Sequence, residues 1–402
     1  MIQMKNADRL NNIGEYYFSQ KLREIEALNK EGKNIINLGI GSPDLPPHQD
    51  VIAELHTQSS RTDTHAYQNY KGSPDFRNAI AEWYDKWYQV QLNPATEILP
   101  LIGSKEGIMH ICMSFINPGD AVLIPNPGYP TYRSAASVAG AEILEYSLKE
   151  KNNWLPDFDQ LKKIAKDKNV KLMFVNYPHM PTGKLPEKPV LKKLVDFAIQ
   201  NNILIVHDNP YSFILNKTPV SMLSIEGAKD VVLELNSLSK SHNMAGWRLG
   251  MLCGREELID IVVRFKSNMD SGMFLPVQKA AIKALSLDKD WFESLNSIYE
   301  KRKKLVYKIL DQLGCIYEKN QAGLFVWAKC PANYKDGYEL SDEILYGASV
   351  FITPGGIFGN EGNNYVRLSL CANEEKLENS ANRIRNFIEL NGLVAEKKKM
   401  SS

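Results

Sequence analysis

The stretch VVLELNSLSKSHNMAGWRLG, residues 231–250, decides how this chain folds and where its chemistry lies. It begins with an apolar run, 231–235, which is typical of a strand buried on both faces of a parallel sheet. Small hydroxyl side chains follow, then Lys240 and, eight residues later, Arg248. Ligands of such sheets bind outside the carboxyl ends of the strands, so we expect these polar side chains to share a binding site.

Lys240 is the reactive residue that this stretch favours. A lysine amine can form an imine with an aldehyde, and its pKa falls readily when it is partly buried beside other cations. Ser237, Ser239 and Arg248 could hold a phosphate beside that imine. Together these residues predict pyridoxal phosphate as the cofactor. The alternative interpretation is an ordinary surface lysine that follows a strand.

The rest of the chain predicts an α/β fold. Apolar runs typical of strands lie at 121–125, 141–146, 171–176, 203–207, 231–235 and 249–253. Helical spacing of apolar residues lies at 15–31, 48–60, 73–89, 103–116, 130–139, 158–167, 187–201, 290–313 and 374–391. Alternating strands and helices predict a mainly parallel, mixed sheet of the seven-stranded type between helices. We expect a large cofactor-binding domain over 46–290 and a smaller α+β domain made from 1–45 and 291–402.

Charge and hydropathy exclude several classes of function. The net charge of +1 gives no global field that would attract nucleic acid or an anionic membrane. The basic runs 301–304 and 397–399 are short, and we interpret them as a solvated helix face and a frayed tail. No apolar run reaches the roughly 20 residues of a membrane helix. The interactions expected are therefore with small-molecule substrates, without nucleic acid or membrane.

The cysteines and the N-terminal residues predict a cytoplasmic location. Five cysteines are scattered without a CxxC pair, which is typical of reduced cysteines in an intracellular protein. The first ten residues, MIQMKNADRL, lack the apolar segment of a secretory signal. No metal site is predicted.

Asp208 and Tyr211 are two further catalytic candidates, directly after the apolar run 203–207. An acid at the end of a strand can pair with a pyridine nitrogen and keep it protonated, which makes the ring an electron sink. Tyr211 could donate a hydrogen bond to the phenolic oxygen of the same ring. The alternative is an Asp-Asn-Pro turn without chemistry.

Three more segments carry candidate binding residues. Gly103, Ser104 and Lys105 begin a helix whose free backbone N–H groups suit a phosphate, the alternative being an ordinary N-cap serine. Tyr129 lies between two prolines and could stack on the cofactor ring, or it could be a packed core aromatic. Arg367 could bind the α-carboxylate of an amino acid in bidentate fashion, the alternative being a surface ion pair.

Eight motifs, in this order and at these spacings, resemble the class I/II aminotransferases of the fold type I pyridoxal phosphate enzymes. They are NLGIGSPDLPP (37–47), AYQNYKGSPDFRNAIA (66–81), LIGSKEGI (101–108), NPGYPTY (126–132), NYPHMPTG (176–183), HDNPY (207–211), SLSKSHNMAGWRLG (237–250) and NYVRLSL (364–370). The shorter segment KSNMDSG (266–272) is similar to the LL-diaminopimelate aminotransferase-like branch.

This resemblance implies an enzyme that moves an amino group between an L-amino acid and a 2-oxo acid by a ping-pong mechanism. It also implies a homodimer with shared active sites, in which Tyr67 reaches the partner's cofactor phosphate. The backbone of Gly41 would lie against the substrate carboxylate. The alternatives are a β-lyase on the same scaffold and a non-enzymatic, cofactor-sensing regulator. The regulator needs a DNA-binding domain before the family-like sequence, which here begins near Asn37.

Met180 is a departure from the family pattern, which usually has asparagine in this position of NYPHMPTG (176–183). A thioether cannot donate the hydrogen bond that asparagine gives to the cofactor's phenolic oxygen. Tyr211 could hold that oxygen alone. Asn176, which is also a predicted cofactor-binding residue, or His179 could substitute for the missing asparagine. One donor fewer predicts a higher pKa for the lysine imine than in relatives with asparagine.

The sequence does not determine which side chain the substrate carries. Apolar, aromatic, dicarboxylic and diaminopimelate side chains all agree with the motifs. Candidate residues for this part of the site are Tyr16, Tyr17, Phe18, Asn69, Tyr70 and Lys71.

Overall fold

The computed structural model describes residues 4–11, 13–15 and 17–391. Its strands are β1 (Ile36–Asn37), β2 (Ile98–Leu101), β3 (Ala121–Asn126), β4 (Glu142–Ser147), β5 (Val170–Asn176), β6 (Leu204–Asp208), β7 (Val232–Ser237), β8 (Gly250–Cys253), β9 (Ile316–Tyr317), β10 (Phe325–Lys329), β11 (Val350–Phe351), β12 (Thr353–Pro354) and β13 (Tyr365–Ser369). The basic run 397–399 and Tyr16 lie outside the described residues.

The α-helices alternate with these strands over most of the chain. They are α1 (Tyr17–Lys30), α2 (Gln49–Ser59), α3 (Pro74–Tyr88), α4 (Ser104–Phe115), α5 (Pro130–Val138), α6 (Phe158–Asp167), α7 (Lys188–Asn201), α8 (Ala228–Val231), α9 (Leu238–Ser241), α10 (Glu256–Lys266), α11 (Leu275–Leu285), α12 (Lys289–Leu313), α13 (Gly337–Ala348) and α14 (Glu374–Leu390). Among the described helices, none combines the length and the apolar composition needed to cross a membrane.

A seven-stranded mixed sheet forms the centre, in the order β2-β8-β7-β6-β5-β3-β4. Only β8 runs antiparallel to its neighbours, β2 and β7, and the other pairings are parallel. Apolar side chains of β5 pack on both faces: Leu172 and Phe174 lie in one hydrophobic cluster, Met173 and Val175 in another. Burial on both faces explains why these strands are continuous apolar runs. The predicted α/β fold class is confirmed.

The other strands form two smaller sheets near the ends of the chain. An antiparallel sheet has the order β12-β13-β10-β9, and β1 pairs in parallel with β11. This pairing ties the N-terminal segment to the C-terminal third, as the expected small domain would require. The division into domains at 46 and 290 stays a prediction.

Four neighbouring strands of the central sheet end in polar residues. β3 ends at Asn126, β5 at Asn176, β6 at Asp208 and β7 at Ser237, all of them buried. Because these strands are parallel and Asn176 lies opposite Asp208 in register, the polar residues collect at one edge of the sheet. The candidate site lies at this edge.

Candidate active site

A cavity of about 560 Å³ lies at the carboxyl edge of the sheet, and all but two of the predicted site residues line it. Those that line it are Gly41, Ser104, Lys105, Tyr129, Asn176, Asp208, Tyr211, Ser237, Ser239, Lys240, Arg248 and Arg367. The two exceptions are Gly103, which lies directly behind Arg248, and Tyr67. Segments distant in sequence therefore meet around one space.

Lys240 points from the short helix α9 toward the N-terminal segment. Its Nζ donates a hydrogen bond of 2.7 Å to the carbonyl oxygen of Gly41. Burial lowers the pKa of Lys240, and the nearby cations Arg367 and Arg248 act in the same direction. A lysine in this setting is neutral more often than a surface lysine, as a nucleophile or base requires.

Asp208 places a carboxylate at the end of β6. Its Oδ2 accepts a hydrogen bond of 2.7 Å from the Tyr132 hydroxyl, while its Oδ1 is buried with no hydrogen-bond partner among the described residues. Burial raises the pKa of Asp208 to about 6, against the lowering effects of Tyr132, His207 and Lys240. A buried carboxylate oxygen without a donor is costly. Asp208 is therefore suited to a ligand that brings a donor or a positive charge.

Tyr132 is a site residue that the sequence reasoning missed. It lines the cavity, and its ring stacks on Phe174 with centroids 4.6 Å apart. Its position three residues after Tyr129, in the first turn of α5, was a signal that both tyrosines could face one site. The two rings lie edge to face, 5.5 Å apart.

The residues predicted to bind phosphate lie at the end of β7 and the start of α4. The Ser237 hydroxyl lies 2.9 Å from that of Ser239 and accepts a hydrogen bond from the Ser239 backbone N–H. Gly103, not Ser104, is the N-cap of α4, so the N-cap serine alternative is wrong. A Cβ on Gly103 would lie 2.1 Å from Nη2 of Arg248. Glycine is thus required for the guanidinium to approach the start of the helix.

Arg367 lies in the middle of β13 and is 4% exposed, so the alternative of a surface ion pair is wrong. Its Nη2 donates to the carbonyl oxygen of Gly39 at 2.8 Å, and its Nη1 contacts Sδ of Met180 at 3.2 Å. The ring of Phe325 lies 3.7 Å from its guanidinium carbon. The stacked ring fixes the guanidinium at the edge of the cavity.

Asn176 connects the ends of two strands. Its amide Nδ2 donates to the carbonyl oxygen of Asp208 at 2.6 Å, and its Oδ1 accepts from the backbone N–H of Met180 at 2.7 Å. His179 does not line the cavity; its Nδ1 lies 2.8 Å from the Thr182 hydroxyl, and burial lowers its pKa to about 3. Of the two candidates for replacing the missing asparagine donor, Asn176 is thus engaged in other hydrogen bonds and His179 lies outside the cavity.

Tyr67 and most of the described residues suggested for the substrate side chain lie outside the cavity. Tyr67 is 90% exposed and outside the cavity of this chain. Of the residues suggested for the substrate side chain, Phe18 lines the cavity, whereas Tyr17, Asn69, Tyr70 and Lys71 do not. Phe18 is joined there by Ser19 and Leu22 of the same helix, α1.

One group of potential metal ligands lies away from this cavity. Glu106, His110 and Asp270 bring ligand atoms within 4.8 Å of one another. The buried ammonium of Lys266 lies 2.7 Å from Asp270, so a cation already neutralises this carboxylate. We therefore assign no metal to the group.

The sequence model of the family described as aminotransferase class I and II matches residues 33–384. The chain belongs to this family. The resemblance deduced from the motifs is confirmed, and the protein is an aminotransferase, an enzyme of the transferase class.

Several relatives resemble this aminotransferase over nearly its whole length. LL-diaminopimelate aminotransferase of Halothermothrix orenii is 40% identical over 387 residues, 95% of this chain and 98% of the relative. The enzyme of the same name from Aquifex aeolicus is 39% identical and covers 95% of this chain and 98% of its own. The substrate-bound structure of BacF from Bacillus subtilis is 36% identical, with a TM-score of 0.90 over 96% of this chain and 98% of that chain. The predicted likeness to the LL-diaminopimelate branch is thus confirmed.

Proposed function

We propose that this aminotransferase uses pyridoxal phosphate, held in the cavity between Asp208, Lys240 and Arg248, to exchange amino groups between L-amino acids and 2-oxo acids. The observation that carries the proposal is the buried Oδ1 of Asp208, which has no hydrogen-bond partner among the described residues and lines the same cavity as Lys240. A protonated pyridine nitrogen is the group that such an oxygen suits.

The other residues of the cavity fit the same cofactor. Ser104 begins α4 with its backbone N–H free of any side-chain cap, and Lys105 and Arg248 bring positive charge to the phosphate end. Tyr129 and Tyr211 would hold the ring and its phenolic oxygen. When bound, pyridoxal phosphate supplies an aldehyde that condenses with primary amines and a ring that accepts the electron pair released at the α-carbon of the substrate.

The protein's own part in the reaction is to bind, orient and move protons. Arg367 would bind the α-carboxylate, with the backbone of Gly41 beside it. Lys240 Nζ, whose pKa is lowered, would take the α-proton and later return it. The hydrogen bond from Lys240 to Gly41 puts the base and the carboxylate region next to each other.

The test is an assay of the reconstituted enzyme with a panel of amino donors and 2-oxoglutarate. We expect transfer that depends on both substrates and a cofactor absorbance that changes with the donor alone. Release of pyruvate and ammonia from a cysteine-type substrate without any oxo acid would instead indicate a β-lyase. Similarity to the named relatives puts LL-diaminopimelate in the panel.

We also propose a homodimer with Tyr67 at the partner's phosphate. Four large side chains are exposed on two adjoining segments: Tyr67, Tyr70, Met269 and Phe274. A Cβ on Gly272 would lie 2.4 Å from the carbonyl oxygen of Gln68, so these segments pack closely. An exposed apolar patch of this kind suits a partner surface, and the mass in solution tests it. All five cysteines are free, which supports the proposed cytoplasmic location.

Replacing Gly103 by alanine is expected to weaken cofactor binding by about 10- to 100-fold, because the new Cβ displaces the Arg248 guanidinium and so removes about 1–3 kcal/mol of charge-assisted hydrogen bonding to the phosphate. The measurement is the dissociation constant of pyridoxal phosphate. Gly119→Ala is the matched control, since Gly119 has φ +88, close to the +83 of Gly103, and no atom within 4 Å of the new Cβ. Equal dissociation constants for the two variants would contradict the role of Arg248.

Replacing Met180 by asparagine is expected to lower the midpoint of the pH titration that is followed by absorbance of the cofactor-loaded enzyme. The restored amide would add a donor to the phenolic oxygen and stabilise its anion. Met180→Leu is the control, because leucine keeps the apolar volume without any donor. An unchanged midpoint in Met180→Asn would show that Tyr211 alone sets the titration.

A further inference from the structure

The cavity extends beyond the groups that the proposed cofactor and carboxylate would occupy. Lys240 and Arg367 are anchored to the same short segment, Lys240 to the carbonyl of Gly41 at 2.7 Å and Arg367 to that of Gly39 at 2.8 Å. An amino acid held with its amine at Lys240 and its carboxylate at Arg367 has its α-carbon between them. Its side chain must then enter the part of the cavity that these two residues leave open.

Aromatic rings form the wall beside that space. Phe325, Phe358 and Phe18 lie 3.7, 4.6 and 5.5 Å from the guanidinium carbon of Arg367, and all three line the cavity. The tip of the Phe325 ring also approaches the N-terminal segment, since a Cβ on Gly41 would be 2.1 Å from its Cζ. The rings that surround the carboxylate anchor therefore also meet the first atoms of the substrate side chain.

Aliphatic residues continue this wall toward solvent. Ile40 and Leu22 line the cavity, and Leu22 is 43% exposed, which places it at the mouth. Ser19 is the polar residue that α1 adds to the lining. A side chain leaving the α-carbon thus passes from aromatic rings to an aliphatic rim.

The charges that line the cavity are all needed by the groups already placed. Asp208 is the only carboxylate lining it within the described part of the chain, and the proposed function pairs it with the pyridine nitrogen. Lys105 and Arg248 lie at the phosphate end, and Lys240 and Arg367 receive the amine and the α-carboxylate. Within the described part of this chain no further charged residue lines the cavity, so a second ammonium or carboxylate held inside it would lack a counter-charge from this protomer, at a cost of several kcal/mol.

We infer that the amino donor carries an apolar side chain, aromatic or branched aliphatic, rather than the distal ammonium and carboxylate of diaminopimelate. This inference rests on the proposed function and names the substrate class of the same site. The inferred substrate class differs from the substrate that the names of the relatives from Halothermothrix orenii and Aquifex aeolicus state for those proteins.

Donor specificity tests the inference in the half-reaction, with the cofactor-loaded enzyme and one amino acid at a time. We expect kcat/KM for L-phenylalanine or L-leucine to exceed that for LL-diaminopimelate and L-glutamate by at least about tenfold, the order of discrimination that a side-chain pocket provides. Two carboxylates that lack an amino group, and therefore cannot react, give an independent measurement. By calorimetry, 3-phenylpropanoate should bind at least about tenfold more tightly than heptanedioate, which has the chain length and second carboxylate of diaminopimelate.

A variant at the rim sharpens this test. Leu22→Glu should lower kcat/KM for L-phenylalanine about tenfold and reduce its advantage over LL-diaminopimelate. Leu390→Glu, at another exposed leucine outside the cavity, should leave both values unchanged. A tenfold preference of the unaltered enzyme for LL-diaminopimelate would overturn the inference and leave the proposed function standing. If no donor changed the absorbance of the loaded enzyme, the proposed function and the inference would both fail.

Discussion

Replacing Lys240 by alanine is expected to lower kcat by about 10⁴-fold, because this change removes both a nucleophile and a general base. Both roles require an amine that is neutral near pH 7. Burial moves Lys240 toward that requirement by lowering its pKa, and the cations Arg367 and Arg248 act in the same direction, against the opposite effects of Cys371 and Asp208. The measurement is single-turnover kinetics of the loaded variant with its best donor. Activity within tenfold of the unaltered enzyme would exclude Lys240 as the reactive lysine.

Lys105→Ala is the matched control for this experiment. Lys105 also lines the cavity, and burial lowers its pKa, with Arg248 acting in the same direction. We expect Lys105→Ala to weaken cofactor binding but to reduce kcat less than about tenfold once the cofactor is saturating, because the base is intact. Borohydride treatment followed by mass spectrometry should attach the cofactor's mass to the peptide with Lys240 in the unaltered enzyme and in Lys105→Ala. No such attachment is expected in Lys240→Ala.

The polar ends of the central strands could be predicted because their signal is local. Largely apolar runs lead into Asn176, Asp208 and Ser237, and the polar residues that close each run mark the edge of the sheet. Parallel pairing then brings these edges together without any further information. The strand β2 was missed because one of its four residues is Pro100, which argues against a strand inside a sheet.

Residues whose role depends on distant partners could not be predicted. Glu234 lies in the run VVLEL (231–235), and it is fully buried. It accepts hydrogen bonds from Tyr84 at 3.0 Å, Ser221 at 2.9 Å and the Met222 backbone at 2.8 Å, with His207 Nδ1 at 2.7 Å. No spacing rule connects these positions, so an acid in an apolar strand gave no hint of its partners.

The N-terminal helix shows the same limit at the site itself. Amphipathic spacing predicts that residues near 15–31 form a helix, and α1 covers Tyr17–Lys30. The spacing does not tell which partner the apolar face meets. Phe18 packs beside Arg367, a contact across most of the chain that only the tertiary fold creates. Substrate specificity depends on contacts of this kind, which is why the motifs left it open.

Replacing Asp208 by asparagine is expected to reduce kcat/KM by about 10²- to 10³-fold, since removing one partner of a buried charge pair costs about 2–5 kcal/mol. Asparagine keeps the size of the side chain and can still accept from Tyr132, but it cannot hold a proton on a pyridine nitrogen by charge. Tyr132→Phe is the control: it removes only the 2.7 Å hydrogen bond to Asp208 and should cost about tenfold. Comparable losses in the two variants would contradict the ionic role of Asp208.

The carboxyl group of Asp208 should also make the stability of the cofactor-free protein depend on pH. Burial raises the pKa of Asp208 from 3.8 to about 6, so between these values the native state keeps a proton that the unfolded chain releases. The free energy of unfolding should therefore fall as the pH rises from about 4 to about 6, by about 3 kcal/mol from this group.

The difference between the unaltered protein and Asp208→Asn in urea unfolding at pH 4 and pH 7 isolates this contribution, because other titrating groups are shared. Parallel pH profiles would show that Asp208 keeps an ordinary pKa. A profile that flattens when pyridoxal phosphate is added would support a positive partner for the carboxylate, since pairing lowers the pKa that burial has raised.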